Sequence, residues 1–286
     1  MSVLKRVSRA LVALSVAATV AISGVAPAAA ITDGRNVSPG VQSNSMVRLN
    51  IGEMSCTGTL ITPEWVLAAR HCAPEGKTVG EAVIGGFIWG EYKGIAEARL
   101  HPTADLAVIR LHSPSGATTA NLHGTHLQAG SRGPVTGWGG WNHANQMIIG
   151  QQADAHVVRR ISNLDSPDRS AQLLEAEIYR GRLLPGDSGG PLWINGQVAG
   201  VLSMSTATDR PSYDGTMGWY VPVAEHLDWI SRQTGKAVPP VSGQPSPLVD
   251  ASRAPSMIPA PRIQNIPATG NLVIDGTVRS WAVGSS

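Results

Sequence analysis

From residue 31 to about residue 226 the chain is written as short apolar runs broken by Gly, Pro, Asn and Ser, the pattern of many brief antiparallel strands. The clearest runs cover residues 46–51, 56–61, 65–69, 82–87, 105–111, 134–138, 153–158, 197–204 and 219–223. Helical spacing is nearly absent until residues 223–233, where Val223, Leu227 and Ile230 share one face and Gly235 is placed to end the segment. Strands of this kind roll into barrels or sandwiches, so an all-β body closed by one C-terminal helix is predicted. Residues 236–286 break the pattern: they hold eight of the 20 Pro, with little charge and no amphipathic period. An extended, largely unstructured linker is predicted there, with a strand-like run at 271–278, before Trp281, able to dock on the body.

Composition agrees with a turn-rich globular protein: 286 residues, 42% hydrophobic, 15% charged and 32 Gly. The first thirty residues stand apart. Lys5, Arg6 and Arg9 precede an apolar run over residues 10–25, and Ala28, Ala29 and Ala30 supply the small residues of a cleavage site before Ile31. Residues 1–30 therefore read as a secretory signal peptide. The alternative is a membrane anchor, but the apolar run is shorter than the roughly 20 residues that span a bilayer. Removing three basic residues and no acidic one leaves 19 basic against 20 acidic. That balance does not support nucleic acid as a partner, and no stable membrane insertion is expected once the signal is removed. Export also decides how Cys56 and Cys72 are read: in an oxidising compartment one disulfide is the simplest pairing. Two cysteines cannot build a structural zinc site alone, His123 and His126 are too isolated to complete one, and neither a metal nor a cofactor is expected.

Three separated clusters carry the chemistry. His71 stands beside Cys72 at the end of the apolar run 65–69, and Asp105 heads the buried run 105–111. Ser188 sits in the glycine-rich string Pro185-Gly186-Asp187-Ser188-Gly189-Gly190-Pro191-Leu192. Over residues 31–233 the sequence resembles the chymotrypsin/trypsin-like serine proteases, whose catalytic residues follow the order His, Asp, Ser. Val135-Thr136-Gly137-Trp138-Gly139 resembles the strand that opens that family's second barrel, the stretch ending at Ser203 its substrate-binding strand, and residues 223–233 its C-terminal helix.

The resemblance implies two antiparallel Greek-key-type β-barrels with the catalytic site between them: residues 31–126 carrying His71 and Asp105, and residues 127–235 carrying Ser188 and the helix. It implies a secreted, extracellular serine endopeptidase acting on protein or peptide substrates through an acyl-enzyme. The chemistry is intelligible on its own terms. A serine hydroxyl needs a base, His71 titrates in a suitable range, and Asp105 would hold the imidazole tautomer. Glycines flanking Ser188 would let the N–H groups of Gly186 and Ser188 face one oxygen as an oxyanion hole.

The resemblance further implies that Ile31 supplies an activating amino terminus to Asp187. By the same resemblance Arg182, Ser203, Ser205 and Gly218 would line the substrate pocket, with Arg182 at its floor either reaching inward to an acidic side chain or turning away to an acid such as Glu177. The disulfide flanking His71 is retained while the family's other bridges are missing, and Arg70 replaces a small residue. The remaining histidines, including His101 and His226, read as structural. A secreted binding protein that keeps the fold and attaches through its Pro-rich tail is the competing reading, and intact His71, Asp105, Ser188 and Gly186 argue against it.

Overall fold

The computed structural model describes residues 31, 33–74, 79–139, 149–164, 172–206 and 216–254. The signal segment 1–30 and the run 271–278 lie outside the described residues.

Six strands close the first barrel: β2 (Met46–Ile51), β3 (Met54–Leu60), β4 (Trp65–Ala68), β5 (Gly80–Ile84), β6 (Glu91–Leu100) and β7 (Ala107–Leu111). Their spatial order is β2-β3-β4-β7-β6-β5, with β5 returning to pair with β2. The β2–β3 hairpin turns over two residues, where Gly52 takes the left-handed φ of 59° that such tight turns need. A short strand β1 (Arg35–Asn36) and a one-turn helix α1 (Val41–Asn44) precede this barrel.

The second barrel uses β8 (Arg132–Gly137), β9 (Gln151–Ser162), β10 (Leu173–Tyr179), β11 (Pro191–Ile194), β12 (Gln197–Ser205) and β13 (Met217–Pro222). It closes through β8–β9 and β11–β8 pairing. Its interior gathers Leu127, Val135, Ala153, Ala155, Leu174, Ala176, Leu192, Ala199, Leu202 and Tyr220, joined by Ile31 from the start of the body. Every pairing within each barrel is antiparallel, as the alternating short runs predict.

The predicted C-terminal helix is present as a 3-10 turn at Val223–Glu225 followed by α2 (Leu227–Thr234). Gly235 ends it with φ 71° and an N–H bond to the Ser231 carbonyl. Leu227, Trp229 and Ile230 are buried in one cluster with residues of both barrels, among them Leu60, Leu111, Trp193 and Val201. Arg99 of β6 donates to the Gln233 carbonyl at 2.6 Å, so the helix ties the first barrel to the second. Among the described residues no helix is long and apolar enough to cross a membrane.

The structure corrects the linker expectation for residues 236–254. Thr125 and Ser242 form a parallel bridge, Gln128 donates to the Gln244 carbonyl at 2.7 Å, and β14 (Leu248–Asp250) adds in parallel to β9 at Arg160–Ser162. The segment is held by these bonds and by Val238, Val249 and Ala251, which pack on the core, so its proline content was no bar to order.

Candidate active site

β4 and β7 are paired with Ala68 opposite Ala107, which brings the residues after β4 and those before β7 to the same end of the first barrel. His71 lies in the 3-10 turn Arg70–Cys72, and the Cys56–Cys72 disulfide fastens that turn to β3. Asp105 lies in the turn leading into β7 and is 2% exposed. Its Oδ2 is 2.8 Å from His71 Nδ1, and its Oδ1 accepts the His71 backbone N–H at 3.0 Å. From the second barrel, Ser203 of β12 donates its hydroxyl to the same Oδ2 at 2.6 Å. Burial pushes the Asp105 carboxyl up, but the hydrogen bonds from His71 and Ser203 outweigh it and hold the group below the usual aspartate value. With Nδ1 donating to an ionised Asp105, His71 Nε2 is left as the acceptor nitrogen.

Ser188 belongs to a tight turn between β10 and β11. Asp187 N–H bonds to the Leu184 carbonyl, Gly190 N–H to the Asp187 carbonyl and Gly189 N–H to the Leu202 carbonyl. Gly186 has φ 100°, a conformation that side-chain-bearing residues avoid. Among the described residues the N–H groups of Gly186 and Ser188 make no backbone hydrogen bond. The Ser188 carbonyl accepts the Thr57 N–H at 2.9 Å and lies 3.7 Å from Cys72 Sγ, which seats the serine against the turn bearing His71. The turns bearing His71 and Ser188 thus lie against each other where the barrels meet.

Asp187 points away from that surface. Its carboxylate is buried and accepts the N–H groups of Gly139 at 2.6 Å and Leu184 at 2.7 Å. A Cβ on Gly137 would lie 2.0 Å from its Oδ1, so the close approach requires glycine there. Burial pushes its pKa up to about 7, against the opposing effect of the two N–H bonds. Among the described residues no cation lies against it. Ile31 is fully buried with its side chain against Gly181, and φ is 44°.

The substrate-pocket residues separate. The Ser203 hydroxyl donates to the buried Asp105 carboxylate. Arg182 pairs with Asp33 at 3.0 Å, an acid absent from the sequence reading, while Glu177 pairs with His156 at 3.3 Å. Ser205 faces Gly218 across β12 and β13. A Cβ on Gly218 would meet Leu183 Cδ1 at 3.0 Å and the Tyr220 hydroxyl at 3.1 Å, so apolar side chains crowd this position. Among the described residues the one group of close metal-type ligands is Cys56, His71 and Cys72, and its two sulfurs are spent in the disulfide.

The chain has similar sequences and folds among known proteins. The family model described as Trypsin matches residues 31–230. A Corynebacterium glutamicum protein named as a peptidase is 48% identical over 94% of each chain. Cationic trypsin-3 of Rattus norvegicus is 31% identical over 67% of this chain and 85% of its own. Among solved structures, neuropsin, a serine protease of mouse brain, superposes with a TM-score of 0.55 at 20% identity, over 70% of this chain and 98% of its own.

Proposed function

The chain belongs to the trypsin-like serine protease family and acts on protein or peptide substrates, and we propose that it is a secreted endopeptidase using Ser188 as nucleophile, His71 as base and Asp105 as the group that holds His71. His71 Nε2 takes the Ser188 proton as Oγ attacks the scissile carbonyl, and the tetrahedral oxygen is met by the N–H groups of Gly186 and Ser188. His71 then passes that proton to the leaving amine, and water resolves the acyl-enzyme by the same route in reverse. The observation that carries this reading is the 2.8 Å contact between His71 Nδ1 and Asp105 Oδ2, made to a carboxylate that its hydrogen bonds hold below the usual aspartate value despite burial.

Export is supported by the charge and apolar pattern of residues 1–30 and by the Cys56–Cys72 bridge. Cleavage before Ile31 would free an ammonium on a buried residue, and among the described residues no cation compensates the buried Asp187. A φ of 44° is strained for a β-branched residue, and breaking the bond before Ile31 removes that strain. The buried pair Ile31–Asp187 is therefore the proposed active state, with 31–126 and 127–235 as the two barrel units and 236–286 as a tail.

The test is cleavage of a peptide library by the mature protein beside Ser188→Ala and His71→Ala. Loss of roughly four or more orders of magnitude in kcat in each variant is expected, since nucleophile and base act as a unit. Wild-type turnover in Ser188→Ala would overturn the assignment.

A further inference from the structure

His101 stands outside the catalytic group, yet its ring is built into the turn that carries Asp105. It is 9% exposed, and its Nδ1 accepts the Ala104 N–H at 2.9 Å and the Thr103 N–H at 3.2 Å. The same turn is closed by His101 N–H to the Leu106 carbonyl at 2.8 Å and by Leu106 N–H to the Ala104 carbonyl at 2.7 Å. Asp105 therefore lies inside a loop whose N-terminal half is held by one imidazole nitrogen. We propose that His101 is a positioning residue for the catalytic carboxylate: by accepting two backbone N–H groups through Nδ1, it fixes the turn that presents Asp105 to His71. The proposal rests on the reading of His71 as the base, and goes beyond it.

The ring is itself held from two sides. Arg70, the residue before His71, donates to the His101 carbonyl at 3.0 Å and to the Pro102 carbonyl at 3.3 Å. From the helix side, the rings of His226 and Trp229 meet it edge-on at centroid distances of 4.7 and 4.9 Å. α2, His101 and the Asp105 turn thus form one packed chain of contacts, and this gives the C-terminal helix a part in placing a catalytic residue.

The device works only with neutral imidazole. Protonated Nδ1 becomes a donor facing two donors, and both turn bonds are lost. Among the described residues the titratable and charged groups set against His101 are Arg70 and His226. Burial first, and the Arg70 cation second, hold its pKa below the ordinary histidine value, so the acceptor survives at neutral pH. Asparagine offers a carbonyl oxygen the same number of bonds from the backbone, accepts N–H groups two and three residues on, and does not titrate.

The experiment compares wild type, His101→Ala and His101→Asn in the full chain. The readouts are peptide hydrolysis against pH and the far-downfield proton resonance of His71 Nδ1–H against Asp105. In His101→Ala, kcat should fall about 10- to 100-fold, the cost of a catalytic group displaced by about 1 Å, with KM within about twofold. The downfield resonance should shift or broaden in that variant. His101→Asn should restore both kcat and the resonance, and the second ionisation step that protonation of His101 is expected to add to the wild-type acid limb should be absent from it. Wild-type kcat and resonance in His101→Ala would overturn the proposal, and so would His101→Asn behaving like His101→Ala. Should wild type cleave no peptide, the protease reading fails while the resonance still decides the role of His101.

Discussion

Thr57 on β3 of the first barrel donates its hydroxyl to the carbonyl of Gly186, the residue two before Ser188, at 2.9 Å. Thr57 Oγ1 in turn accepts the Trp138 N–H at 2.9 Å, and the Thr57 backbone N–H holds the Ser188 carbonyl. One fully buried side chain thus joins the first barrel, the end of β8 and the nucleophile turn.

Thr57→Val keeps the shape and removes the hydroxyl, leaving a carbonyl and an N–H unsatisfied at about 1–3 kcal/mol for each buried orphan. Denaturant unfolding should register that loss, and kcat should fall with it as the Gly186 peptide relaxes. Thr57→Ser should stay close to wild type in both measurements.

Asp187 makes the uncut chain pH-sensitive. Its pKa stands near 7 in the fold against about 4 when unfolded, so between those values the folded state binds more protons. Stability of the uncut chain should therefore fall as pH rises from 4 to above 7, by an amount on the order of 4 kcal/mol. An ammonium freed at Ile31 would stabilise the carboxylate and flatten this slope. Thermal unfolding of cut and uncut protein across that range checks the difference; identical profiles would count against the Ile31–Asp187 pair.

His226 acts with the opposite sign. Burial first, then neighbouring His101, push its pKa down to about 4 from the ordinary 6.5. The unfolded chain binds the proton more readily, so stability is full above pH 6.5 and drains away as pH falls towards 4, by on the order of 3 kcal/mol. His226→Phe, which keeps an aromatic ring against His101, should be markedly less acid-labile; unchanged acid unfolding would exclude His226 as the cause.

Arg182 is charge-compensated by Asp33, so cleavage should favour uncharged residues before the scissile bond, in keeping with Leu183 and Tyr220 beside Gly218. Profiling wild type beside Asp33→Asn should reveal increased cleavage after Glu or Asp in the variant, where the guanidinium is released. A strong wild-type preference for acidic residues would contradict the compensation.

Much of this was legible in the sequence where side chains alternate cleanly or motifs are local. β2 and the helix ended by Gly235 follow directly from apolar spacing, and His71, Asp105 and Ser188 each stand in a short recognisable string. β6 escaped because its outer positions hold Glu97 and Arg99, paired with each other and with Arg110, which dilutes the apolar pattern. β10 escaped because buried Glu175 interrupts its apolar run, compensated by Arg159 at 2.8 Å and by the Trp219 indole N–H at 3.0 Å. Thr57 could not be picked out because its partner Gly186 lies 129 residues away, and Asp33 because Arg182 lies 149 away. His101 was visible only as a histidine before a proline; its role depends on a turn whose geometry no spacing encodes.

The central claim is that Ser188 forms a covalent acyl intermediate activated by His71. Pre-steady-state hydrolysis of an activated ester by mature protein, followed by mass spectrometry of the acid-quenched chain, tests it most directly. A stoichiometric burst with the acyl group on Ser188, absent in Ser188→Ala and slowed by orders of magnitude in His71→Ala, is the result expected. Steady turnover with no adduct on Ser188, or a burst that survives in Ser188→Ala, would contradict it.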